Sequence, residues 1–149
     1  MTSADTSSLV IEKEFAYPPE KVWRALTEGE LMREWLLEND FEPVVGHAFS
    51  FRTEAPAAAG MDWDGVIESE VLVVRPYEEL AYRWNALGLV SVVRWTLAAT
   101  AGGTLVRMEQ SGFRPDQKAA YHGANYGWEK FLEGLERVLS GELGMGSGE

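Results

Sequence analysis

The run from Gln117 to Leu143 constrains this chain more than any other, because no other stretch is long and periodic enough for a multi-turn amphipathic helix. Ala124, Trp128, Phe131, Leu132, Leu135, Val138 and Leu139 recur at the spacing of one buried helix face. Most of what precedes this run reads as strands. A helix with one apolar face that closes a series of strands buries that face by lying across their sheet. A curved sheet around a single helix leaves a hollow between them. The same run carries rings at Tyr121, Tyr126, Trp128 and Phe131.

Upstream, Leu9, Ile11 and Phe15 share one parity and Glu12 and Glu14 the other, the alternation of a half-buried strand. Pro18-Pro19 ends it and opens a helix with Glu20 in its first turn and Val22, Trp23 and Leu26 on its buried side. Thr27 is the expected cap of a second short helix carrying Leu31, Met32, Trp35 and Leu36. Phe41 to Thr53 reads as an irregular strand, with Gly46 near its start and Phe49 and Phe51 on one face. Ala55 to Gly60 is a loop of small residues, and Met61 to Arg75 a long strand broken or bulged at Gly65. After a turn at Pro76, Leu80, Tyr82 and Trp84 alternate with Ala81, Arg83 and Asn85. Leu89 to Ala99 holds Val93, Trp95 and Leu97 in phase, and Ala101-Gly102-Gly103 makes a hairpin. Thr104 to Gly112 brings Val106, Met108 and Gln110 to one face, and Asp116 is the expected cap of the final helix. Most connections are short, so the sheet is expected to be antiparallel.

Charge and composition exclude several functions. The net charge is −11, from 24 acidic and 13 basic residues, with no basic cluster. Such a chain repels nucleic acid and anionic membranes. There is no cysteine, hence no disulfide, thiolate nucleophile or cysteine-ligated metal. The first eight residues lack the pattern of a signal peptide. No apolar run approaches the roughly 18 residues of a membrane span, so no membrane insertion and a cytoplasmic location are expected. The two histidines, His47 and His122, lie in different elements and do not make a metal site. No GxSxG, phosphate loop or GxGxxG is present, and no cofactor is expected.

Three polar groups invite a closer reading. Asp62 and Asp64 share a strand face, either as a carboxylate pair for acid–base work or as a solvated strand end. Glu68 and Glu70 follow the same reasoning. Arg83 and Arg94 face away from Tyr82, Trp84, Val93 and Trp95, which predicts cross-strand pairing with glutamates, joined by Arg107 and Glu109. Gln110 instead points inward, where it requires a partner: Tyr82, a helix residue or a ligand.

The order of these features resembles the START-like superfamily, also called the Bet v 1-like or helix-grip fold. Within it the chain is similar to bacterial proteins related to the C-terminal domain of the activator of Hsp90 ATPase. The resemblance rests on Tyr17-Pro18-Pro19 with Val22-Trp23, on Thr27, Leu31 and Trp35, and on Gly46 and Phe49. It continues through Gly65, Val74, Pro76, Leu80, Tyr82 and Trp84, Gly102-Gly103-Thr104, and Gly127-Trp128. Tyr17 stands where the family usually has Ala before Pro. The resemblance covers roughly residues 8 to 142, and it implies an α+β helix-grip fold. A curved antiparallel sheet of about six strands would wrap a long C-terminal helix, with two short helices after the first strand. A single domain is expected over residues 8–142, with flexible tails at 1–7 and 144–149.

In that family the start of the last helix borders a cavity mouth. The implied site combines Trp35, Phe49, Phe51, Met61, Trp63, Tyr82, Trp84, Trp95 and Met108 with Gln110, Tyr121, His122, Asn125 and Trp128. The same rings could equally fill the space as core. The expected function is binding of a small hydrophobic ligand (lipid, aromatic or polyketide-like) by a monomer or weak dimer. One alternative is a cyclase- or dehydratase-like enzyme acting on an aromatic substrate, with His122 or Asp62 as its acid/base. Another is a chaperone-type module with a protein partner, although a single domain is expected here, without the family's separate N-terminal chaperone-binding domain.

Overall fold

The alternation read from the sequence becomes a seven-stranded antiparallel sheet. The structure is a computed structural model and describes residues 7–52, 65–86 and 88–141. In chain order its elements are β1 (Ser7–Phe15), α1 (Pro19–Thr27), α2 (Gly29–Trp35), β2 (Glu38–Asn39), β3 (Ala48–Arg52), β4 (Val66–Arg75), β5 (Glu79–Ala86), β6 (Leu89–Thr100), β7 (Gly103–Phe113) and α3 (Lys118–Ser140). Across the sheet the strands run β1-β7-β6-β5-β4-β3-β2. β2 through β7 thus form a meander, while α1 and α2 carry the chain from one sheet edge to the other. The result is the expected helix-grip α+β architecture.

The differences from expectation are local and come from polar side chains. The seventh strand is β2, which pairs Glu38 and Asn39 with Arg52 and Phe51. It lies ahead of the segment read as one strand from Phe41. The Asn39 amide donates to the carbonyls of Leu37 and Gly29 at 2.9 and 3.3 Å and accepts from the Phe41 N–H at 3.0 Å. Thr27 does not cap α2, because its hydroxyl donates back to the Trp23 carbonyl at 2.7 Å and Glu28 holds the cap position. Nor does Asp116 cap α3. Gln117 holds that position, and Asp116 pairs with Arg114 Nε at 3.3 Å. Gly65, at φ +78°, directly precedes β4, and the register shift falls between Val71 and Val73 instead. Ser7 belongs to β1 rather than to a tail. The expected tails at 1–6 and 144–149, the loop Ala55 to Gly60, and the positions Met61, Asp62, Trp63 and Asp64 lie outside the described residues.

The two sheet faces separate by parity. Leu9, Phe15, Leu80, Tyr82, Val93, Trp95, Val106 and Met108 are buried on the helix side, each such burial contributing about 1.5–3 kcal/mol. The outer face carries charged pairs across strands: Arg83 with Glu70 at 3.5 Å, Arg107 with Glu12 at 3.7 Å, and Arg94 with Glu79. Glu109 joins at 3.2 Å from Arg107. This is the predicted ladder, and each exposed pair contributes roughly a few tenths of a kcal/mol.

Trp35 ties the helices together. Its indole N–H donates to the Ala25 carbonyl at 2.9 Å, fixing α2 on α1. Gly134 of α3 lies against it, so that a Cβ there would stand 3.3 Å from Trp35 Cβ.

The hairpin before β7 makes a sharp demand on one glycine. Gly103 has φ +155°, and a Cβ on it would lie 2.0 Å from the Phe15 carbonyl oxygen. Beside it, a Cβ on Gly102 would meet only Glu14 Oε2 at 3.7 Å, an ordinary contact. Gly103→Ala should therefore cost on the order of 2–3 kcal/mol, and Gly102→Ala much less. Urea denaturation of the two variants checks this, and equal losses would contradict it.

Candidate functional site

The helix α3 packs unevenly on the sheet. From Trp128 onward its inner stripe is buried, with Trp128, Leu132, Leu135, Val138 and Leu139 seated in the core. Before Trp128 that stripe continues through Tyr121 and Ala124, which pack against the core, while Ala120, Gly123 and Gly127 form a row of small residues beside it. A Cβ added at Gly123 or Gly127 would meet nothing within 4 Å.

Under this half of the helix lies a cavity of about 500 Å³. Ile67 of β4, Trp84 and Ala86 of β5, Leu89 of β6 and Gln110 of β7 form its sheet side. Trp128 and Phe131 bound it toward the packed half of α3, and Asp116 and Gln117 border it at the helix start. Ala119, Ala120 and Gly123 are exposed, so the cavity opens to solvent along that start. The rings meet at its inner end, with centroids 5.1 Å apart for Trp84 and Trp128 and 5.4 Å for Trp128 and Phe131.

A chain of hydrogen bonds fixes the cavity's inner wall. Trp128 Nε1–H donates to Gln110 Oε1 at 2.8 Å. Gln110 Nε2 donates to Ser91 Oγ at 3.0 Å, and Ser91 Oγ donates to the Trp84 carbonyl at 2.6 Å. An indole N–H can only donate, so the atom facing it must be the amide oxygen, which fixes which way the Gln110 amide points. Gln110 is 1% exposed. One of its two amide protons goes to Ser91. Among the described residues no acceptor takes the other.

Of the residues expected at a site, Trp84, Gln110 and Trp128 border this cavity. Trp35, Phe49, Phe51, Tyr82, Trp95 and Met108 do not line it, and are buried in the core. There Trp95 bridges Trp35 and Trp128 edge-on, with centroids 5.7 Å from each. Phe49 and Phe51 pack on Tyr82 at 5.7 and 5.6 Å.

Tyr121, His122 and Asn125 do not line the cavity either, because helical rotation turns them away from the row of Ala120, Gly123 and Gly127. Tyr121 packs on Phe113 at 5.2 Å, and His122 is exposed. Met61 and Trp63 lie outside the described residues. The sequence reading missed Ile67, Ala86, Leu89 and the small residues of α3. For the helix residues the signal is the row of small side chains at helical spacing, Ala120, Gly123, Ala124 and Gly127.

The histidines are apart. His47 Nε2 donates to the Asp40 carbonyl at 3.0 Å, with its ring stacked on Phe49. Among the described residues no group of three His, Asp or Glu side chains is placed to hold a metal. No described helix is long and apolar enough to cross a membrane.

The family described as activator of Hsp90 ATPase homolog 1-like protein matches residues 16–140, and the chain belongs to it. No curated protein matches. Among solved structures, protein MLL2253 from Mesorhizobium loti is 48% identical, with TM-score 0.82 over 90% of this chain and 97% of that one. NE0264 from Nitrosomonas europaea is 21% identical with TM-score 0.76, over 95% of this chain and 99% of that one. CalU16 from Micromonospora echinospora is 22% identical with TM-score 0.74, over 93% of this chain and 79% of that one. The last two show the shared fold alone.

Tyr82 yields a pH prediction. Burial pushes its phenol well above the ordinary value, only partly offset by the Trp95 Nε1–H that donates to its oxygen at 3.0 Å. The folded state therefore holds a proton that the unfolded chain releases above about pH 10. The resulting stability is complete below that pH and is lost as pH rises further. Urea denaturation across alkaline pH should show a steep fall for the native chain and a shallower one for Tyr82→Phe. Identical slopes would contradict the assignment.

Proposed function

We propose that this chain binds a small, largely apolar molecule between the first half of α3 and the sheet. The observation that carries the reading is the pair Gly123 and Gly127. Each weakens a helix by roughly 0.5–1 kcal/mol relative to Ala, yet neither relieves a clash, since a Cβ at either would meet open space. Their missing side chains leave a cavity whose volume of about 500 Å³ falls within the roughly 300–1,000 Å³ of small-molecule sites. Its walls are mostly apolar, as such sites are. Burial of apolar ligand surface would supply affinity at about 25 cal/mol per Å². Lipid, aromatic and polyketide-like compounds all fit this chemistry. No cofactor is needed, and a monomer or weak dimer in the cytoplasm would suffice.

The two alternatives fare less well. An enzyme needs an acid or base facing its substrate. Of its two expected candidates, His122 is exposed and off the cavity, and Asp62 lies outside the described residues. Asp116, which borders the cavity, is exposed and paired with Arg114. A chaperone-type role, which the family description suggests, would draw on a contiguous apolar patch. The exposed large apolar side chains among the described residues are Val10, Val44, Val45, Tyr77, Val90 and Tyr126, spread over separate elements and turns.

Titration with naphthalene, followed by two-dimensional amide NMR, tests the reading. Saturable shifts should cluster on Trp84, Leu89, Ala120, Gly123 and Gly127. Gly127→Ala should stabilise the fold by roughly 0.5–1 kcal/mol, whereas Gly127→Leu should fold and weaken naphthalene at least about tenfold by occupying the space. Binding unaffected by Gly127→Leu would refute the site.

A further inference from the structure

Resting on that reading, we infer that the buried end of the ligand is a neutral hydrogen-bond acceptor on an aromatic frame, an aromatic ketone or its like, and not a carboxylate. Gln110 supplies the first argument. Its oxygen is taken by Trp128 Nε1–H and one amide proton by Ser91. The remaining proton has no acceptor among the described residues, although the side chain is 1% exposed and borders the cavity. A buried donor without a partner is costly. A carbonyl oxygen entering the cavity would satisfy it. Gln110 Oε1 accepts from Trp128 Nε1–H and keeps a second lone pair, but a carbonyl oxygen with one donor is tolerated far better than a buried N–H with no acceptor. The site thus favours ligands that accept over ligands that only donate.

Charge supplies the second argument. All thirteen lysines and arginines of the chain lie among the described residues, and none lines the cavity. The segment 53–64, outside the described residues, carries Glu54, Asp62 and Asp64 and no cation. Arg114, beside the helix start, is engaged by Asp116 at 3.3 Å and by the Gly88 carbonyl at 3.5 Å. A carboxylate carried to Gln110 would exchange water for one N–H and no positive charge, inside a protein of net charge −11. Rings supply the third. Trp84, Trp128 and Phe131 offer faces and edges at the inner end, a surface suited to a planar partner.

Three probes of nearly equal shape separate these terms: ethylnaphthalene, acetylnaphthalene and naphthoate, titrated by calorimetry into the full chain and into Gln110→Met. The ratio of ethylnaphthalene to acetylnaphthalene dissociation constants should fall about tenfold from the native chain to Gln110→Met. Naphthoate should bind the native chain at least about tenfold more weakly than acetylnaphthalene. Should Gln110→Met fail to fold, the native chain still decides: the Gln110 side-chain amide resonances should shift with acetylnaphthalene and stay with ethylnaphthalene. An unchanged ratio, unmoved amide resonances, or naphthoate binding as tightly as the ketone would overturn this inference while leaving a binding cavity intact. Failure of all three probes to bind would overturn the cavity reading itself, and the inference with it.

Discussion

The buried hydrogen bond from Trp128 to Gln110 ties the long helix to its sheet. It joins α3 to β7 at the inner end of the cavity. Beyond it, large side chains seat the helix among the rings of Trp35 and Trp95. Before it, Tyr121 packs on Phe113 of β7 and donates to the Ser8 carbonyl of β1, while Ala120, Gly123 and Gly127 leave the cavity beside them. The bond is buried, and each partner would be left unsatisfied without the other, so either loss would cost on the order of 1–3 kcal/mol. Through Ser91 the same link reaches the Trp84 carbonyl, which ties the cavity's main aromatic wall to the helix that roofs it. Support and site share one set of atoms.

That arrangement divides the aromatic residues into two populations. Trp35, Phe49, Phe51, Tyr82 and Trp95 are packing, with centroids about 5–6 Å apart and little contact with water. Trp84, Trp128 and Phe131 are packing on one side and cavity wall on the other. The sequence reading posed core and pocket as alternatives for all of these rings together. In the structure Trp84, Trp128 and Phe131 border the space beside α3, and the other rings do not.

The large-scale fold was legible because it follows from periodicity. Alternation at Leu80, Tyr82 and Trp84, at Val93, Trp95 and Leu97, and at Val106, Met108 and Gln110 assigned strands and faces correctly, including the inward glutamine, whose partner among the three left open is a helix residue, Trp128. The outer ladder of Arg83, Arg94 and Arg107 followed from the same parity. Side chains that bond their own backbone were not legible. Asn39, Thr27 and Gln117 each redirect the chain through a bond that leaves no mark in an apolar pattern. The site was half legible. Rings announce themselves, so Trp84 and Trp128 were named, but a cavity is made by what is missing. Gly123 and Gly127 read as ordinary helix residues until the strands opposite them are in place. Tyr121, His122 and Asn125 drew attention as polar groups near the helix start, yet rotation of about 100° per residue turns them off the cavity.

The account turns on an apolar space kept open beneath the first half of α3. A crystal structure determined under xenon pressure tests that most directly, since xenon enters dry apolar cavities without needing a specific ligand. The account predicts xenon between Trp84 and Leu89 on one side and Gly123 and Gly127 on the other, with α3 unmoved. A helix seated down on Ile67 and Leu89, with no xenon beneath it, would contradict the account.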